Sequence, residues 1–183
     1  MPGSRAEPAR ATTAGAGGGG SPAGVTIARA DYLWFVDRAL AGMTDIVRAL
    51  GDELANRRPT LEGANSAFVI LSHCLGVMEY WGGGTVADRA FERDRAAEFA
   101  ARGDVATLVQ RTEAARQRLR HDLASLDADG DAGAVPAQLG PEPDPVPYTQ
   151  RKGAVLLHIL EELYQHLGQM ELTRDVLLAG PAD

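Results

Sequence analysis

Leu33, Val36, Leu40, Met43, Val47, Leu50 and Leu54 recur at alternating steps of three and four residues. That spacing puts all seven on one seam of an α-helix, which predicts a first helix over roughly 27–56. Arg57, Arg58 and Pro59 stop it. A second apolar segment, 66–81 (SAFVILSHCLGVMEYW), has Asn65 as its candidate N-cap and Gly82, Gly83 and Gly84 as its end. It is apolar nearly all round and is expected to be the most buried helix.

Residues 85–102 are charged, with Phe91 and Phe99 as anchors, and predict a loop followed by a short helix or turn. Asp104 then caps a third long helix whose seam is Val105, Leu108, Thr112, Ala115, Leu119, Leu123 and Leu126. Arg111, Glu113, Arg116, Arg118 and Arg120 are expected mostly to face water. Five prolines within 127–148 predict a long irregular crossover. Asp127, Asp129 and Asp131 mimic the opening of a calcium loop, but Ala132 and Gln138 stand where Gly and Glu are needed, so calcium is set aside. A fourth helix is expected from about 149 to 179, stopped by Gly180 and Pro181. Four long amphipathic helices without a strand pattern predict an all-α four-helix bundle over 26–180.

The 183 residues suffice for one ordinary core. Residues 1–25 are Gly, Ala, Pro and Ser with almost nothing to bury, and are expected to be a disordered tail. A formal charge of −7 offers no basic face for nucleic acid. No run of 18 apolar residues exists to span a membrane. A single cysteine, Cys74, forms no internal disulfide, and the N-terminus has no apolar stretch of signal-peptide length, so the expected location is cytoplasmic. Arginine in place of lysine, Lys152 excepted, fits the coding bias of a GC-rich genome.

Three of the four histidines, His73, His158 and His166, lie in otherwise apolar helical segments, a costly placement unless each imidazole has a partner. His121 sits on the charged face of helix three and is read as solvated. On helix four, His158, Glu162, His166, Gln169 and Thr173 follow at steps of four, four, three and four, forming one polar stripe. Glu162 and His166 can aim an oxygen and a nitrogen at one point, with His73 of the neighbouring helix as third donor. Two nitrogens and one oxygen suit zinc, and three protein ligands leave a position open, as at catalytic rather than structural sites. The plainer reading, hydrogen-bonded core histidines and a chance Glu-x-x-x-His pair, stands beside this one. Cys74 diverges from His73 by about 100 degrees around the helix and is read as a small buried hydrophobe, not as a nucleophile. Tyr32, Trp34, Phe35 and Trp81 are read as core or rim packing.

The segments NSAFVILSHCLGVMEYW around His73, RDRAAEFAARGDVATLV over 93–109, and HILEELYQHLGQM over 158–170 resemble the DinB-like superfamily of metal-binding four-helix bundles. Within it the chain is similar to the actinobacterial branch of mycothiol-dependent maleylpyruvate isomerase and the mycothiol transferases, over roughly 27–178. The resemblance implies His73, Glu162 and His166 as metal ligands. Many relatives have His where Glu162 stands; glutamate there favours mycothiol over bacillithiol. The isomerase carries an additional C-terminal domain without counterpart in this sequence, which favours a thiol S-transferase.

The implied chemistry is a low-molecular-weight thiol, mycothiol, bound at the open position and acidified by a divalent metal, Zn2+ with Ni2+ or Fe2+ as alternatives. The thiolate attacks a small electrophile such as an epoxide, enone or activated halide. His158 is the candidate for proton transfer, or else a plain core residue, with Glu161 pointing away. Gln169 and Tyr80 are candidates for orienting the thiol. Arginines of 89–102 are candidates for binding a carboxylate or sugar hydroxyls at the mouth, and Gly168 for close approach of a ligand or helix. The rivals are an isomerase of the maleylpyruvate type, a non-catalytic metal-binding stress protein, and a metal-dependent hydrolase. A homodimer seam on helix one competes with the needs of the core.

Overall fold

The computed structural model describes residues 27–124, 126 and 151–180. The expected tail over 1–25, the crossover over 127–148 with its calcium-like opening, and Pro181 lie outside them. Among the described residues the elements are all helical: α1 Arg29–Asn56, α2 Ala67–Val77, a π-helical segment Met78–Val86, α3 Arg95–Ala100, α4 Val105–Asp122 and α5 Lys152–Ala179. The long helices pack as an all-α bundle, with α1 against α2, α4 and α5, and α2 against α4 and α5.

The α1 seam is spent inside the chain: Leu33, Val36, Leu40, Met43, Val47 and Leu50 are buried, while Trp34 and Phe35 lie off the seam and are exposed. α1 is broken at Gly51, whose φ of +64° and ψ of 178° suit only glycine. The turn beyond the break is tied to the start of α4. Asp52 accepts from the Val105 amide at 2.8 Å, and Asn56 exchanges hydrogen bonds with both backbone groups of Gly103. Asp104 caps α4 as expected, accepting from the Thr107 amide.

α2 departs from expectation at both ends. Its N-cap is Ser66, which accepts from the Val69 amide at 3.3 Å, rather than Asn65. Its C-terminus does not stop at the glycines but widens through them into the π-helical turns. The reason is close approach. A Cβ on Gly82 would lie 2.7 Å from Leu119 of α4, and one on Gly83 would overlap the Arg89 guanidinium. Arg89 occupies that space to pair with Asp122 at 3.0 Å and Glu79 at 2.7 Å, bolting the π-helical segment to α4. Several of the cations expected to face water are also tied down: Arg118 pairs with Glu79, and Arg120 and Arg116 pair with Asp37.

No helix among the described residues is long and apolar enough to cross a membrane. Phe91 and Phe99 are half-buried, and the short helix expected after the charged loop is α3. It buries no residue of its own and packs against α2 alone among the elements.

Candidate metal centre

α2 and α5 lie side by side, and their facing surfaces bring the polar stripe of α5 to His73. Glu162 Oε2 stands 3.6 Å from His73 Nε2 and 3.3 Å from His166 Nε2. The three donor atoms lie within 4.8 Å of one another. Two ligands each about 2.1 Å from a tetrahedral zinc sit about 3.4 Å apart. The two separations around Glu162 match that spacing and exceed an ordinary hydrogen bond.

The outward nitrogens of both imidazoles are occupied. Glu98 Oε2 lies 2.9 Å from His73 Nδ1, and Gln169 Oε1 lies 2.8 Å from His166 Nδ1, each an acceptor suited to an Nδ1 proton. A proton held on Nδ1 leaves Nε2 with its lone pair, the state a metal requires. Two imidazole nitrogens, once neutral, and one carboxylate make a donor set that fits a borderline divalent cation such as zinc.

Charge in the site is balanced by neighbours. Pairing with His166 and then His73 holds Glu162 well below the usual carboxylate range, against the opposing effect of burial. For His73, burial disfavours the cation most strongly, yet Glu162 and Glu98 together outweigh it and raise its pKa. Burial pushes Glu98 up, but His73 and Arg93 prevail and lower it. Arg93 grips Glu98 at 2.7 Å and 2.9 Å, and its guanidinium lies 5.5 Å from the Tyr80 ring centroid.

The remaining candidates fall around this cluster. His158 Nε2 is 3.9 Å from the other oxygen of Glu162, its Nδ1 is 3.3 Å from Glu161, and its ring meets Trp81 edge-on at 5.3 Å. Glu161, expected to point away, is largely exposed yet partners His158. Tyr80 is buried, beneath Arg93 and edge-on to Trp81. Thr173 is buried one turn beyond Gln169. Gly168 has open space where a Cβ would go, so no helix presses on it there. Cys74 is fully buried, and desolvation first, then the charges of Glu162 and Glu98, drive its thiol far above the usual range; it is no nucleophile.

Two residues of the centre escape a reading of the sequence. Glu98 and Arg93 belong to a charged segment whose arginines are candidates for a ligand at the mouth, yet their side chains are 11% and 7% exposed and paired with each other. Neither Arg93 nor Arg89 is spare for a ligand carboxylate at the mouth, because internal carboxylates engage both. The available signal was Phe99, an aromatic beside Glu98 that packs its ring 5.1 Å from the His73 ring.

A protein-family model described as Mycothiol-S-transferase matches residues 32–179. No curated protein and no solved structure matches the chain. The family match runs from the first turn of α1 to the last residue of α5 and takes in all three donors: the chain belongs to the mycothiol-S-transferase family.

Proposed function

We propose that the protein is a metal-dependent thiol transferase that conjugates mycothiol to a small electrophile, an epoxide, enone or activated halide. His73, Glu162 and His166 hold the cation, zinc in this reading. The observation that carries it is the convergence of three donors from two helices, with both outward imidazole nitrogens already engaged, in a chain of this family. A cation held there lowers the pKa of a bound thiol, so that thiolate is available near neutral pH.

The protein's own groups then have defined tasks. Glu162 would give a bound cation one negative charge; its Oε2 lies beside His73 and His166, and its Oε1 faces His158. His158 is the group we assign to take up the thiol proton or return one to the product. Gln169 and Tyr80 are assigned to orienting the thiol. Residues 26–180 are read as one domain, placed in an actinobacterial cytoplasm, where mycothiol and an unpaired cysteine are both at home.

Elemental analysis of purified protein, titration calorimetry with mycothiol and turnover of an activated halide test the reading together. About one metal per chain is expected, with thiol affinity and conjugation both lost in His166→Ala. Folded, metal-free protein that ignores mycothiol would overturn it, as would ester or amide hydrolysis that needs no thiol.

A further inference from the structure

α3 poses a packing problem. It is six residues long and buries none of them fully, so apolar burial, confined largely to half-buried Phe99, leaves much of its placement to polar contacts. What attaches it to α2 is chemistry aimed at a single residue. Glu98 Oε2 stands 2.9 Å from His73 Nδ1, and Phe99 lays its ring 5.1 Å from the imidazole. Arg93, just before the helix, holds both oxygens of Glu98 and so fixes which one faces His73. α2 makes room for the arrangement: one turn after His73, a Cβ on Gly76 would overlap the Glu98 carboxylate.

We propose that Glu98 is the positioning residue of the centre: clamped by Arg93 over Gly76, it holds the proton of neutral His73 on Nδ1 and thereby presents Nε2 to the cation. The proposal rests on reading His73, Glu162 and His166 as the metal ligands. The two histidine ligands are held differently. His166 is oriented by a neutral amide from its own helix, whereas His73 is oriented by an ion-paired carboxylate from a separate short helix. Docking of α3 and metal affinity are therefore coupled, and the coupling is reciprocal.

Zinc affinity by competition titration, the tautomer of neutral His73 by long-range proton–nitrogen NMR on metal-free protein, and amide exchange of α3 with and without zinc test this. In the wild type, His73 is expected as the Nδ1–H tautomer, and zinc slows exchange across α3. Glu98→Ala weakens zinc by about 10- to 100-fold, moves the proton towards Nε2 and abolishes the slowing. Glu98→Gln, which keeps an acceptor oxygen, recovers most of the affinity. Gly76→Ala favours the helix by propensity but pushes Glu98 aside, so it weakens zinc as well. A wild-type His73 protonated on Nε2 overturns the proposal, as do wild-type zinc affinities in both Glu98→Ala and Gly76→Ala. Should Glu98→Ala fail to fold, Gly76→Ala and the wild-type tautomer still decide. Failure of the metal reading looks different: the wild type binds no zinc, and the tautomer alone then judges Glu98.

Discussion

At the residue scale, the centre depends on which nitrogen of each imidazole carries the proton. Glu98 and Gln169 engage the two Nδ1 atoms, and both Nε2 atoms face Glu162. A cation can enter only when both histidines are neutral and the glutamate is ionised. His73 is raised above its ordinary 6.5, so protons compete with metal up to and beyond that value. Zinc affinity should therefore climb with pH, by about tenfold per unit while one proton is displaced, and level off once both histidines are neutral. Competition titrations between about pH 5.5 and about pH 8 measure this, and a flat profile would contradict the assignment. His158, Glu162 and His166 were legible from helical spacing alone, because steps of four residues on a helix fix a common face. Glu98 and Arg93 were not: a buried ion pair and a solvated charge run have the same composition, and only the fold distinguishes them.

At the scale of elements, glycines divide into those that serve the backbone and those that serve a neighbour. Nothing lies within 4 Å of the place a Cβ on Gly51 would take, so its only constraint is the left-handed φ that breaks α1. Gly51→Ala should lower stability by about 1–3 kcal/mol through backbone strain alone. Gly168 has equally open surroundings but sits inside α5 with no positive φ. Gly168→Ala should raise stability by about 0.5–1 kcal/mol, the ordinary gain of alanine in a helix. Urea denaturation midpoints at constant slope separate the two, and effects of the same sign would refute the distinction. Gly82 and Gly83 belong to the second kind, admitting Leu119 and Arg89. Sequence reading takes a run of three glycines as a stop, because the partners that require them are distant in the chain and invisible to local propensity.

Across the whole molecule, the bundle turns two ordinary helices into a site. α2 supplies an almost wholly buried surface in which His73 is one of few polar groups, and α5 supplies the stripe that meets it. The fold class was readable because the 3–4 spacing of α1 and α4 leaves no other way to bury their seams. Packing then sets the distances that spacing cannot. Convergence of these side chains on one cation is what that packing predicts. Diffraction from zinc-loaded crystals, recorded on either side of the zinc absorption edge, tests it most directly. A single anomalous peak is expected about 2.0–2.2 Å from His73 Nε2, His166 Nε2 and a Glu162 oxygen, with His73 Nδ1 still on Glu98. Zinc bound elsewhere, or no peak while these three side chains merely bond to one another, would contradict it.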